Sequence, residues 1–210
     1  MSEDVLVVNN SYLSPYLNNS GSSFIADSNE HIFDLILEKH IFMSRDLAEY
    51  DFEHKQVIPY LIIRKGDSFL LLQRTSKQTE KRLHNKFSLG IGGHINPDSS
   101  EHGNNLIIGG LYKELHEEVS INSPSTLTFI GTINDESNSV SKVHLGLLYE
   151  LDVLSDTYEV LEKDKMSAQW ENRKNLIHYY DRLETWSQIV YDNYITPAHN
   201  QHDTTYNKTI

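Results

Sequence analysis

Three acidic side chains are spaced so that they could bind a metal ion together. Glu114, Glu117 and Glu118 stand at positions i, i+3 and i+4 of a predicted helix, which places their carboxylates on one face. A hard cation such as Mg²⁺ takes oxygen ligands, so its binding would reverse the mutual repulsion of these groups. The alternative is a solvated acidic face of a surface helix. The apolar stripe that would bury this helix lies on a different face and consists of Ile108, Leu111, Leu115 and Val119.

A glycine-rich run precedes this helix, which is predicted to begin at Asn104 or Asn105 and to continue through Val119. Residues 90–93 contain three glycines in four positions. Because glycine has no side chain, the backbone can approach a bound ligand closely at such positions. A glycine-rich strand exit followed by an acidic helix is an arrangement suited to phosphate chemistry.

Cationic side chains stand just upstream of the glycine-rich run and could contact phosphate oxygens. For each of them, an ordinary solubilising charge is the alternative interpretation. The candidates for substrate binding are Arg74, Arg82 and Lys86.

The surrounding pattern predicts a mixture of strands and helices, an α/β (α+β) chain. Pro59 inside an otherwise strong strand predicts a strand edge or a bulge there. The predicted elements are a strand at residues 5–8, a helix from Ser28 to about His40, a polar connector at 45–51, a hairpin of strands 57–63 and 69–72, strands at 127–133 and 143–153, and helices at about 172–183 and 184–194.

Composition excludes several classes of protein. The chain has 210 residues, a formal net charge of −12 and no cysteine, so disulfides, thiolate metal sites and cysteine nucleophiles are excluded. The negative charge argues against binding a nucleic-acid polymer, which requires clustered Lys and Arg. No apolar run is long enough to cross a membrane, and the amino terminus lacks the basic start of a signal peptide. We therefore expect a cytoplasmic protein that does not bind membranes.

Residues 92–96 (GGHIN) and 113–121 (KELHEEVSI) together resemble the signature box of the Nudix hydrolases. That box reads Gly, five residues, Glu, seven residues, then Arg-Glu-apolar-x-Glu-Glu-x-Gly-apolar. The second half matches at the three acids named above, at Leu115 and at Ile121. The resemblance extends over about residues 55–152. This stretch is similar to a Nudix subgroup, often labelled phosphoesterase, whose members have an additional amino-terminal segment.

Both halves of the box depart from the family pattern, the first half more than the second. Lys113 stands where the family has Arg, Ser120 where it has Gly, and Asn105 where it has Glu. The intervening loop is about six residues longer than in the family. Glu101 is the only acid within that loop that could replace the missing Glu.

The resemblance implies an α/β/α sandwich with a mixed sheet and three parts: an amino-terminal extension at 1–54 packed on the main domain, a Nudix-like domain at 55–195 and a polar tail at 196–210. It also implies a homodimer. By the same resemblance, Glu117 and Glu114 are catalytic, and Mg²⁺ or Mn²⁺ is held by Glu114, Glu117, Glu118 and the carbonyl of Gly93. His94 is a candidate for substrate binding. His94 and His144 are candidate acids or bases, and Glu136 is a candidate base.

The predicted function is metal-dependent hydrolysis of a diphosphate linkage in a small, nucleotide-like phosphorylated substrate. A catalytically inactive Nudix-fold protein that binds a ligand or regulates is the alternative, and Lys113, Ser120 and the longer loop favour it. The intact acidic triplet favours the hydrolase, because a binding module does not need three clustered acids. A third possibility, an unrelated α+β protein with a chance acidic helix, conflicts with the glycine-rich run before the helix.

Overall fold

The computed structural model describes residues 3–17, 23–26, 31–75, 86–103 and 105–197. Ser28, Arg82, Asn104, most of the predicted loop at 18–23 and most of the polar tail lie outside the described residues. Their predicted roles therefore stay predictions.

Strands account for much of the described chain. In order they are β1 (Asp4–Asn9), β2 (Ser23–Ala26), β3 (Ile41–Ser44), β4 (His54–Lys65), β5 (Ser68–Arg74), β6 (Phe87–Ser88), β7 (Gly90–Gly92), β8 (Val119–Ile121), β9 (Ser125–Asn134), β10 (His144–Val153), β11 (Tyr158–Val160) and β12 (Met166–Asn172).

Ten of these strands form one mixed sheet within the described residues, with the main order β12-β5-β4-β10-β9-β2. The neighbours β4 and β10 are parallel, whereas β4 and β5 form the predicted antiparallel hairpin. On the side of β4 that faces away from β10, β1 and β7 pair with different parts of β4. The remaining two strands, β8 and β11, form a separate small sheet.

Helices are short apart from those that cover the sheet. They are α1 (Asn10–Leu13), α2 (His31–Lys39), α3 (Arg45–Ala48), α4 (Leu106–Glu118), α5 (Ser139–Lys142) and α6 (Thr185–Val190), with 3₁₀ helices at Pro97–His102 and Arg173–Arg182 and a π-helical turn at Tyr191–Ile195.

Both faces of the central strand β4 are buried, which explains its nearly continuous apolar sequence. Because successive side chains of a strand point to opposite faces, Val57 and Leu61 pack with α4 and α2, whereas Tyr60 and Ile62 pack with the carboxyl-terminal helices. Helices thus cover both faces of one mixed sheet, and the predicted α/β/α sandwich is confirmed.

Pro59 lies where β4 changes partner on one side. The backbone N–H of Gln56 donates to Val143 on the β10 side, so by alternation the nitrogen of Pro59 faces the opposite side. There β1 pairs only as far as Gln56 and β7 begins at Tyr60. The missing N–H of proline therefore costs no ladder hydrogen bond, as the predicted strand edge requires.

Several predicted elements need correction in detail. The connector at 45–51 begins with the short helix α3, and the predicted helix at 172–183 is a 3₁₀ helix. It follows the edge strand β12, which pairs along β5 and was not predicted. The second carboxyl-terminal helix is present as α6, and it ends in the π-helical turn.

Residues before position 55 contribute to the same sheet. β1 hydrogen-bonds to β4, and β2 pairs with β9. Val5–Val8 are completely buried within this arrangement. No helix in the described part of the chain is both long and apolar enough to cross a membrane.

Candidate functional site

The acidic helix α4 is fixed by its first residue and by its buried stripe. The side chain of Asn105 accepts a hydrogen bond from the backbone N–H of Ile108 at 3.0 Å, which caps the helix. Ile107, Leu111 and Leu115 are buried against the sheet. Glu118 is buried on the same helix, Glu114 and Glu117 stand beside it, and the three carboxylates line a cavity.

That cavity has a volume of about 450 Å³. It lies between α4, the glycine-rich strand β7, the amino-terminal segment and the start of α6. The lining includes the whole predicted acidic triplet together with Gly93, His94, Arg74 and Lys86. Side chains that are far apart in sequence are therefore brought to one site.

Glu118 is the most buried member of the triplet and is held by Arg74. The Nη1 of Arg74 donates to Oε1 of Glu118 at 2.8 Å, and both side chains are about one-tenth exposed, at 11% and 10%. Burial raises the pKa of Glu118, and the neighbouring guanidinium opposes this effect. Arg74 thus fixes a carboxylate instead of projecting alone toward a substrate, and its predicted phosphate contact stays a prediction.

Glu114 lies against Gly93. A Cβ atom added at Gly93 would lie only 1.9 Å from the carboxyl carbon of Glu114, so a side chain here would displace that carboxylate. Burial, followed by the charges of Glu117 and Glu118, raises the pKa of Glu114 to about 7. The third acid, Glu117, is exposed and lines the cavity. The triplet therefore presents three carboxylates in three different environments.

We predict that Gly93→Ala displaces the carboxylate of Glu114 and weakens divalent-metal binding by about 10- to 100-fold, the usual cost of disturbing groups that orient a metal ligand. The fold should persist, because the clash involves the end of a flexible side chain. Calorimetric titration with Mg²⁺ or Mn²⁺ measures the affinity. The double variant Gly93→Ala/Glu114→Gln should bind no more weakly than Glu114→Gln alone, and an additive loss would contradict this interpretation.

The two substituted box positions have structural explanations. The Nζ of Lys113 donates to Oδ1 of Asn96 at 2.8 Å, and the Nδ2 of Asn96 donates to Glu3 at 2.8 Å. Lys113 therefore ties α4 to the amino-terminal segment. Ser120 lies exposed in the extended strand β8, where any residue type can be accommodated.

The longer box loop is folded and packs on α4. Its Pro97–His102 helix lies so close to the helix that a Cβ on Gly109 would be 1.8 Å from the backbone oxygen of Ser99. Glu101, the acid of this loop that was predicted to replace the missing Glu, is exposed and does not line the cavity. Asn105, at the place of the missing Glu, acts as the helix cap described above.

Three further carboxylates line the cavity that sequence reasoning did not identify: Glu3, Glu162 and Glu184. Glu162 accepts a hydrogen bond from Lys165 and adds negative potential at Glu118. Glu184 caps α6 by accepting from the N–H groups of Trp186 and Ser187. No local motif marks Glu3 or Glu162, since the sheet brings both to the site over long sequence separations.

The wall opposite α4 is aromatic and contains a buried hydroxyl network. Tyr60 donates to Glu184 at 2.5 Å and lies within 2.8 Å of the Ser187 hydroxyl. Burial raises the pKa of Tyr60 well above its ordinary value, with Glu184 adding to the effect. Trp186 packs edge-on against Tyr60 and lines the cavity.

The two histidines predicted as acid or base candidates lie close together, with ring centroids 5.8 Å apart. Burial, followed by the charge of Arg45 and by His144, lowers the pKa of His94 to about 3, so His94 is neutral at physiological pH. Glu136, the candidate base, instead accepts a hydrogen bond from the buried Lys55 at 2.9 Å. It does not line the cavity.

The donor set on α4 fits a divalent cation. Among the described residues, Oε2 of the buried Glu118 has no hydrogen-bond partner. An unpartnered buried carboxylate oxygen is costly unless a cation or an unseen donor satisfies it. Glu114 and Glu117 stand beside it on the same helix face, and the all-oxygen chemistry suits Mg²⁺ or Mn²⁺.

Comparison with known proteins gives two relatives of substantial identity. The chain is 40% identical to "Protein YmaB" of Bacillus subtilis (strain 168) over an alignment of 156 residues that covers 71% of this chain and 76% of YmaB. It is 32% identical to Tm1382, a protein classed with the Nudix hydrolases, whose crystal structure superposes with a TM-score of 0.77. That match covers 93% of this chain and 100% of Tm1382.

A more distant structure shares the fold alone. The NUDIX domain of Shewanella oneidensis NrtR, solved in complex with ADP-ribose, is 15% identical and superposes with a TM-score of 0.53. The match covers 76% of this chain and 99% of that domain. No protein-family model matches the chain.

Proposed function

Because the chain belongs to the Nudix hydrolase family, we propose that it is a divalent-metal-dependent hydrolase of a diphosphate linkage in a nucleotide-like small molecule. The observation that carries this proposal is the convergence of Glu114, Glu117 and Glu118 in one cavity, with an unpartnered buried oxygen on Glu118. A catalytically inactive relative would have no need to keep that oxygen unsatisfied.

In this proposal, Glu114, Glu117, Glu118 and the Gly93 carbonyl would hold Mg²⁺ or Mn²⁺. When bound, the metal would polarise a phosphoryl oxygen and lower the pKa of a coordinated water. Arg74 positions Glu118 by occupying its Oε1, and Oε2 has no hydrogen-bond partner among the described residues. Lys86 and His94 line the same cavity and are the candidates for holding the substrate phosphates; Arg82 lies outside the described residues.

A small nucleotide-like substrate suits the cavity in size and chemistry. Its volume of about 450 Å³ falls in the range of small-molecule sites, about 300–1,000 Å³. Trp186 lines the cavity and offers an aromatic surface for a planar group. The ADP-ribose bound by the NrtR domain is a compound of this class.

The test is phosphate release from a panel of nucleoside diphosphate compounds, with Mg²⁺, with Mn²⁺ and with EDTA. We expect turnover on at least one compound that disappears with EDTA and returns when metal is restored. Turnover that survives EDTA would overturn the metal dependence.

A ligand-binding role without catalysis is the second candidate. It is favoured by Lys113, which contacts Asn96 and therefore leaves the orientation of the catalytic acids to other residues. If the protein binds compounds of the panel in calorimetry with no turnover at any metal concentration, this second function replaces the first.

We also propose that the protein is a homodimer. Large apolar side chains are exposed on the amino-terminal segment, and pairing would remove them from water. Light scattering at micromolar protein is expected to give twice the chain mass of 24.3 kDa, and a monomeric mass would contradict the proposal. The exposed side chains of this segment are Tyr12, Tyr16, Ile41, Leu47, Tyr50 and Phe52.

A further inference from the structure

A second group of metal-ligating side chains lies outside the acidic helix. Glu49 follows α3, His94 follows the glycine-rich strand, and His144 begins β10. One ligand atom from each of these three residues lies within 4.8 Å of the others. The helix α3 belongs to the amino-terminal segment, so this cluster exists only because that segment packs on the main domain.

Hydrogen bonds set the tautomers of both imidazoles. The Nε2 of His94 lies 2.8 Å from Oε1 of Gln56, and the Nδ1 of His144 lies 2.7 Å from the backbone oxygen of Val140. Both partners are acceptors, so the named nitrogens carry the protons and donate. The Nδ1 of His94 and the Nε2 of His144 are therefore the nitrogens that would coordinate an ion. Histidine ligands in metal sites are generally oriented in this way, by donating their other N–H to an oxygen.

We propose that Glu49, His94 and His144 form a binding site for a divalent cation of borderline softness, represented by Zn²⁺. Two imidazoles and one carboxylate are a ligand set that zinc uses when a fourth position stays open. Mg²⁺ prefers oxygen donors and would favour the acidic helix instead. The cavity would then hold two metal sites that differ in donor chemistry.

The three ligand atoms are close enough to converge on one ion. Ligand atoms of a tetrahedral zinc lie about 3.3 Å apart, given Zn–N and Zn–O bonds of about 2.0–2.1 Å. A separation within 4.8 Å can be closed by small side-chain rotations. All three residues are partly buried, and His94 and His144 line the cavity, so an ion can approach them from there.

Arg45 is the neighbouring cation that competes for Glu49. Its Nε lies 3.6 Å from Oε1 of Glu49, and its Nη1 lies 3.2 Å from Oε2 of Glu3. A bound metal would replace Arg45 as the partner of the Glu49 carboxylate, and Arg45 would keep its contact with Glu3. We therefore expect Arg45→Gln to tighten zinc binding several-fold, which is the opposite direction from loss of a ligand.

The test uses untagged protein with excess Mg²⁺ to fill oxygen-donor sites, titrated with Zn²⁺ by calorimetry and with Co²⁺ by visible absorption. We expect one site per chain. His144→Gln or Glu49→Gln should weaken binding by at least about 100-fold, and Gln56→Leu by about 10- to 100-fold through loss of the orienting acceptor. His178→Gln, at an exposed histidine elsewhere, is the matched control and should bind as the wild type does. Circular dichroism checks that each variant is folded.

Glu117→Gln separates this site from the acidic helix. We expect the affinity of the Glu117→Gln variant for Zn²⁺, measured under excess Mg²⁺, to stay within about twofold of the wild type. Histidine side-chain nitrogen spectra should show Nδ1 of His94 and Nε2 of His144 shifting on zinc addition. If Glu117→Gln abolishes zinc binding while His144→Gln leaves it unchanged, the metal sits on α4 and the proposal is wrong. Equal binding by the wild type and Glu49→Gln would also overturn it.

Discussion

Glu117→Gln is expected to lower metal-dependent turnover by at least about 1,000-fold. Removing a ligand forfeits several kcal/mol of stabilisation that the metal provides, and each 1.36 kcal/mol corresponds to tenfold in rate. The free energy of unfolding should stay the same or rise by a few tenths of a kcal/mol, because the substitution removes repulsion between like charges at i and i+3 on α4. Turnover on the best compound of the panel and urea denaturation measure the two effects.

Glu101→Gln is the matched control for that experiment. It makes the same chemical change on an exposed acid of the box loop that does not line the cavity. Its turnover should stay within about twofold of the wild type. If both variants lose activity equally, the missing box acid is supplied by Glu101 after a rearrangement; if neither does, Glu117 is not a ligand.

The acidic helix could be predicted from sequence because its signals are local. The three acids, the apolar stripe and the Asn105 cap all lie within a short stretch, and helical periodicity relates them. The fold class could also be predicted, from the strong strand patterns and from the resemblance to the Nudix box. The strand β12, which has mixed polarity and lies at the edge of the sheet, was not predicted.

The rest of the site depends on contacts that no local pattern encodes. Arg74 meets Glu118 across 44 residues, and Asn96 meets Glu3 across 93. Such pairs form only after the sheet has assembled, so sequence reasoning gave Arg74 a cationic role without its partner. The departure at Lys113 suggested a weakened box, yet the structure shows that Arg74 holds one of the acids instead.

Arg74→Met is expected to destabilise the fold by about 3–5 kcal/mol, because it leaves the Glu118 carboxylate buried without its partner. Methionine keeps much of the volume, so the loss comes from the charge and not from a cavity. Urea denaturation measures the change in the free energy of unfolding. Lys163→Met, which removes a cation from an exposed pair with Glu159, is the matched control and should cost no more than about 1 kcal/mol.

The double variant Arg74→Met/Glu118→Leu decides between charge and packing as the cause. If the unpaired charge is responsible, replacing both partners by apolar residues should recover most of the stability lost in Arg74→Met. If shape is responsible, the two losses should add. The double variant should remain inactive under either outcome, because it lacks the unpartnered oxygen of Glu118 that the metal is proposed to use. Recovered stability without recovered turnover would show that this buried pair is maintained for the chemistry of the site and not for the fold.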